Sequence, residues 1–387
     1  MALGASGDKD FQQWLPWAGL PLSEVEAVQL VLRGDSCIDW HRLNFTRREE
    51  VDNFLRVHQF DPTSQEDRHR MRVLVQTSVQ YLTNHFNLKV PEDLVEGDMY
   101  DLFLQASFPE RRFNRRKLLS CMILKVVSIV HHLEGRALLH RTSMSDADMF
   151  RLVQGRIEQL RTLAQRMRTP VLDIYGNSKS QDSLIGKLLS KRDTFAATVF
   201  DKLRYRVVVR SREDILPTLA WLMRNLMPFN YVLPGKSFNS VVDPRPQLDA
   251  LTDLLPFKDG ILSNYQPDED TGFSTTTDNE FSGSTYRMLN FIVDLPVRLD
   301  NFITRELALQ HGRIGFALVE FQMVDAVSEA ENEEGENSHS AYKERQKVRV
   351  IERLRWGGIL KAHRASRRMS QFTRRGEGDE EEGNDVS

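Results

Sequence analysis

Lys179, Ser183 and Lys187 recur every four residues in GNSKSQDSLIGKL (176–188), so on a helix they would share one face. Leu184 and Leu188 fall on a neighbouring stripe suited to burial. Lysines held along an apolar-anchored helix suit phosphate oxygens, although any surface helix can carry them. Further on, Asp201 stands at the mouth of a strand and Arg206 within it, in FDKLRYRVVV. Tyr286 opens a strand, Glu320 sits inside the apolar strand VEFQMV, and His339, Tyr342 and Lys343 follow. An unpaired acid in an apolar strand is costly, so Glu320 in particular asks for a role. Chemistry on phosphate groups needs charge neutralisation and positioning more than covalent chemistry, and residues of these types can supply both. Mg²⁺ prefers carboxylate oxygens and keeps waters, so Asp201 and Glu320 would suffice beside nucleotide phosphates. Lys179, Lys187 and Arg206 would meet those phosphates as point and fork charges, and a tyrosine ring at Tyr286 would take a flat base.

Several generic motifs fail on spacing. IGKLL (185–189) offers a Gly-Lys pair, but a P-loop needs Gly at 181 and Ser or Thr at 188, where Gln181 and Leu188 stand. The Gly-Ser pair at 283–284 lacks the acid-x-acid that would mark a nucleotidyltransferase. His131 and His132 are adjacent, and on a helix they point about 100° apart, which does not suit one shared metal ion.

The elements that must position these residues divide the chain. Over 20–165, LSEVEAVQLVL, TRREEVDNFLRV, EDRHRMRVLVQTSVQYL and NRRKLLSCMILKVVSIVHHL space their apolar residues by three and four, which predicts helices. Thr46, Ser64 and Asn114 are the expected N-caps, with Glu49 completing a capping box on Thr46. A further helix is expected to begin at Ser145. After Pro170, YRVVVRS, STYRMLNFIVDLPVRL and GRIGFALVEFQMV read as strands and SREDILPTLAWLMRNL as a helix. The fold class expected is α+β: a helical region over 1–144, then a mixed-sheet, nucleotidyltransferase-like domain over 145–345 with a loop-rich insertion around 228–283. A basic then acidic tail (346–387) follows, its end expected to be disordered.

The 387 residues allow two cores, and a formal charge of -3 argues against a generic polyanion binder. Cys37 and Cys121 form no metal or redox motif, and no signal peptide is apparent. The apolar run 118–130 contains a lysine and is too short to span a bilayer. A cytoplasmic location and no membrane partner are therefore expected.

Four segments in order resemble the synthetase domain of the RelA/SpoT family, which makes the alarmones pppGpp and ppGpp. That family carries GRxKxxxSIxxK, DLxAxRxIV, YxSLHxxV and EVQIRT leading to HWxYK. Here the segments are GNSKSQDSLIGK, DKLRYRVVV, YRMLNFIV, EFQMVD and HSAYK, within about 150–345. The resemblance implies a GTP-pyrophosphokinase reaction moving pyrophosphate from ATP to the 3′-hydroxyl of GDP or GTP, with Mg²⁺ as cofactor. It implies Asp201 and Glu320 as metal ligands, Glu320 also assisting deprotonation. Lys179, Ser183, Lys187, Arg206, Asn290, His339 and Lys343 would line the nucleotides, and Tyr286 would stack on guanine. Lys258, in PFKDGI (256–261), would be a further phosphate contact.

The pattern departs at several positions. Asn177 stands where the family has an arginine that helps hold adenine, Asn290 where it has a histidine, and Val324 and Asp325 where it has Arg-Thr. About forty extra residues separate Arg206 from Tyr286. No His-Asp dipeptide occurs in 1–165, so alarmone hydrolysis is not expected. Two other readings fit the residues. One is a catalytically impaired nucleotide sensor, favoured by Asn177 and Asn290. The other is a helical interaction protein whose basic block (345–375) touches RNA or ribosomes.

Overall fold

The computed structural model describes residues 14–20, 22–33, 43, 45–107, 114–178, 180–190, 203–243, 286–333 and 339–354. It is a mixed α+β fold built on a five-stranded sheet. The strands are β1 (Val171–Ser178), β2 (Leu203–Val209), β3 (Phe238–Asn239), β4 (Leu289–Arg298) and β5 (Ile314–Asp325). Their order is β1-β2-β5-β4-β3, with β2 and β5 parallel and every other pair antiparallel.

The chain forms two compact units. The first takes 1–178, 200–278 and 286–331; the second takes 179–199, 279–285 and 332–387. In the first, one sheet face is apolar throughout: Tyr205, Val207 and Val209 of β2, Val319, Phe321 and Met323 of β5, and Leu289, Phe291 and Val293 of β4 are buried. Against that core lie Trp221 and its neighbours on the helix Ile215–Asn225, and Val153, Ile157, Leu160 and Ala164 on the helix Asp146–Met167. Arg156 joins these layers. Half-buried on the 146–167 helix, it donates to Pro296 O at 2.5 Å, to Val57 O at 3.4 Å and to Leu226 O. Val57 ends one helix and Leu226 caps another, so one guanidinium satisfies carbonyls that helix termini leave orphaned.

The other sheet face is divided. The helix Arg115–Leu139 covers its first half, where Gly135 meets Phe316 of β5. A Cβ at Gly135 would lie 2.4 Å from the Phe316 ring, so only glycine lets helix and strand approach this closely. That helix is long and apolar enough to cross a bilayer, but Leu119, Ile123, Leu124 and Val127 are buried in a core with the helices Gln65–Phe86 and Met99–Ser107. The second half of this face is polar.

Expected N-caps at Ser64, Asn114 and Ser145 are present, Ser145 with Asp148 as a capping box. At the helix Arg48–Val57 the reach-back comes from Glu50 rather than Glu49: the Thr46 and Arg47 amides donate to Glu50 Oε2 at 2.5 and 3.3 Å. The helix starts one residue later than a Thr46 cap requires. The larger correction concerns 171–178. The expected lysine helix starts at Gln181, and Gly176 and Asn177 lie in β1. Gly176 pairs with Tyr205, and a Cβ there would fall 2.4 Å from both the Arg204 carbonyl and the Tyr205 ring.

In the second unit, the helix Gln181–Ser190 pairs with the helix His339–Arg353. Lys343 Nζ donates to Ser183 Oγ at 2.9 Å, Gln346 Nε2 to Ser190 Oγ at 3.2 Å, and Arg353 to Leu188 O at 3.4 Å.

Candidate functional site

The polar half of the sheet is organised as two transverse rows. Tyr175 of β1, Arg206 of β2, Gln322 of β5 and Asn290 of β4 are successive register partners, and so are Asn177, Arg204, Glu320 and Ile292. Alternation along each strand puts Arg204 with Arg206, and Glu320 with Gln322, on the same face.

Two linked knots of hydrogen bonds result. Arg206 Nη1 donates to Glu329 Oε2 at 2.9 Å, and its Nη2 donates to Tyr286 Oη at 2.7 Å and Gln322 Oε1 at 3.0 Å. The Tyr175 hydroxyl donates to the other oxygen of Glu329. In the second knot, Glu320 Oε2 accepts from Arg204 Nε at 2.8 Å, and Oε1 accepts from Gln322 Nε2 at 3.1 Å. The Asn290 amide, oriented so that its nitrogen meets acceptors, adds a donor 2.8 Å from Glu320 Oε1. Gln322 is 3% exposed and belongs to both knots, accepting from one arginine and donating to the other arginine's carboxylate.

Burial works against the charge of Arg206, but Tyr286, Glu329 and Tyr175 together raise its pKa above the usual arginine value. Burial lifts the Tyr286 phenol above its ordinary range, and burial with the Glu329 hydrogen bond pushes Tyr175 up to about 12. Both tyrosines therefore stay neutral hydrogen-bonding groups near neutral pH. Asp325 positions Glu329. Its Oδ1 accepts from the Val327 and Ser328 amides at 3.1 Å and its Oδ2 from Ser328 Oγ at 2.6 Å, which caps the helix Ala326–Glu333. Burial opposes ionisation of Asp325, yet these bonds and Arg212 lower its pKa.

Of the residues singled out in the sequence, the structure gathers Arg206, Tyr286, Glu320 and Asn290 in this patch. Tyr286 precedes its strand, which opens at Leu289, and its ring packs with Phe238 against Val208, Met288 and Val324. Ser183, Lys187, His339 and Lys343 belong to the second unit, where Ser183 and Lys343 meet and His339 begins its helix. Asp201, Lys179 and Lys258 lie outside the described residues.

Four members of the patch escaped sequence reading. Arg204 and Gln322 sit two residues from Arg206 and Glu320, a period-2 signal in plain view. Tyr175 was hidden by the helix reading of its neighbours, and Glu329 carried no local signal. The adjacent histidines do diverge: His132 Nε2 lies 2.6 Å from Asp294 Oδ2, whereas His131 is buried among Phe60, Tyr231 and Phe316.

Magnesium is the cofactor the family resemblance implies. Glu320 already has three donors on its two oxygens, one of them a guanidinium, and a cation would have to displace Arg204 to reach it. Among the described residues no group of three His, Cys, Asp or Glu side chains is placed to hold a metal. The described residues do not fit a divalent ion as they stand.

No family model and no curated protein matches this chain. Solved structures do show a likeness. Small alarmone synthetase 1 from Bacillus subtilis matches at 12% identity and a TM-score of 0.29, over 58% of this chain and 94% of that one. The same enzyme bound to its product pppGpp matches at 17% identity and a TM-score of 0.28, over 58% and 94%. A GTP pyrophosphokinase family protein from Streptococcus pneumoniae matches at 13% identity and a TM-score of 0.27, over 59% and 98%. No residue described above takes its role from these matches.

Proposed function

We propose that this chain is an alarmone-synthetase-like protein. It takes purine nucleoside polyphosphates on the polar half of its sheet and moves the β,γ-pyrophosphoryl group of ATP to the 3′-hydroxyl of GDP or GTP. The observation that carries this reading is the convergence of Arg206, Tyr286, Glu320 and Asn290. They come from three separated motifs and form one hydrogen-bonded patch on adjacent strands. Such a transfer needs fixed positive charge at the phosphates, and Arg204 and Arg206 are the cations of that patch. Glu320 and Gln322 hold these guanidiniums in place.

A second reading, a nucleotide-binding sensor of the same architecture, is favoured by one contact. The Arg204 guanidinium occupies the carboxylate that would otherwise receive a metal or a proton.

Incubating purified protein with labelled ATP and with GDP or GTP, in Mg²⁺ and separately in EDTA, separates the two. A pyrophosphorylated guanosine product supports the synthetase. Nucleotide binding without product supports the sensor. Absence of both removes both readings, and salt-dependent RNA binding would then point to the basic block instead.

A further inference from the structure

Two tyrosines are tied to the Arg206–Glu329 pair, and they present their rings differently. The Tyr286 hydroxyl accepts from Arg206, while its ring packs against Val208, Met288 and Val324 with Phe238 alongside. Little of that ring face is left for a base. Tyr175 is anchored through its hydroxyl to Glu329, yet 42% of the residue is exposed. It lies on β1, the edge strand of the sheet, directly across the ladder from Arg206.

We infer that Tyr175 is the nucleobase platform of this site: the flat face of a purine stacks on its ring while the polyphosphate runs inward toward Arg206 and Arg204. This rests on the proposed nucleotide-binding reading. Two features support it. The ring is open where that of Tyr286 is closed. Its hydroxyl is pinned by a carboxylate that also grips Arg206, so ring and guanidinium keep a fixed spacing and stacking costs little side-chain freedom. Every base has a π-face whatever its hydrogen-bonding edge, so an open aromatic ring suits a purine.

The test measures binding of a fluorescent N-methylanthraniloyl ATP, the matching GDP and inorganic triphosphate to the full chain. It compares wild type, Tyr175→Ala, Tyr175→Phe and Tyr286→Ala, with circular dichroism to confirm folding. Tyr175→Ala is expected to weaken both nucleotides about tenfold or more. It should leave triphosphate within about twofold, since triphosphate has no base to stack. Tyr175→Phe keeps the ring and should bind nucleotides within about threefold of wild type, so the effect follows the ring rather than the hydroxyl. Nucleotide affinity unchanged in folded Tyr175→Ala, or lost only in Tyr286→Ala, overturns the Tyr175 assignment and leaves the nucleotide reading standing. Failure of the wild type to bind any of the three ligands overturns both.

Discussion

Arg206 Nη1 lies 2.9 Å from Glu329 Oε2, so this mostly buried arginine is already held by a carboxylate of its own chain. A phosphate entering this patch competes with Glu329 rather than meeting a bare cation. Glu329→Gln keeps the hydrogen-bonding shape and removes the competing charge. It should strengthen inorganic triphosphate binding by roughly three- to tenfold, and cost about 1–3 kcal/mol of stability because a charge-assisted bond to a mostly buried guanidinium is weakened. Triphosphate titration calorimetry and a urea melt read the two effects, and an unchanged affinity would show that phosphate does not approach Arg206.

The Arg204–Glu320 pair makes a different prediction. Arg204→Met leaves Glu320, buried on β5, with only amide donors. Removing one partner of a largely buried ion pair costs roughly 3 kcal/mol or more. The same change uncovers a carboxylate oxygen, so Mn²⁺ binding, followed by its electron paramagnetic resonance signal, should appear or strengthen in Arg204→Met. It should fall away again in the double variant with Glu320→Gln. Equal Mn²⁺ binding in wild type and Arg204→Met would show that Arg204 does not block the carboxylate.

Two buried histidines predict acid sensitivity. Burial holds His131 well below the ordinary histidine range and brings His58 down to about 4, against hydrogen bonds to Phe54 O and Asn230. A histidine depressed in the fold contributes stability above its unfolded pKa near 6.5 and loses it as pH falls through the folded value. For His58 that is roughly 3 kcal/mol between pH 6.5 and 4. Glu24 works the other way: burial pushes its carboxyl up to about 7 despite Arg224 at 3.2 Å, so its cost declines as pH drops from 7 toward 4.5. His131→Phe, which fits the surrounding aromatic cluster, removes one acid-labile group. Its midpoint in urea should fall less than the wild type's between pH 7 and 5, and parallel curves would refute the assignment.

Arg156 should be among the most sensitive positions for folding. Arg156→Met removes the donor shared by Pro296, Val57 and Leu226 and leaves buried carbonyls unsatisfied, at a cost of about 3 kcal/mol or more by denaturant titration. Arg156→Lys, with a single ammonium in place of a fork, should recover only part of that loss.

These positions also show where sequence reasoning reached and where it stopped. The helices were legible because Leu119, Ile123 and Val127, or Val153, Ile157 and Leu160, repeat at helical spacing and all face a core. The strands β2, β4 and β5 were legible because they are apolar almost throughout. The edge strand β1 was not: of Val171 to Gly176 only Ile174 is buried, and a register shift between Val171 and Asp173 breaks the alternation. Arg206 and Glu320 stood out as charges in apolar strands. Arg204 and Gln322, equally spaced beside them, were passed over because their meaning depends on which strands are neighbours. Parallel pairing of β2 with β5 is a tertiary fact that no local window contains.

That pairing also sets when the site comes into being. Arg204 and Glu320 face each other across a parallel ladder, yet 116 residues separate them along the chain. A contact this distant forms only after a long loop closes, and such pairings are the slow steps of folding. A ribosome that has released β2 has still not made the polar patch. Both knots await β5, and Arg206 receives its carboxylate only with Glu329. Chains ending before Ile314 would keep much of the helical layer and lack the second knot altogether, and chains ending before Glu329 would lack the carboxylate that holds Arg206.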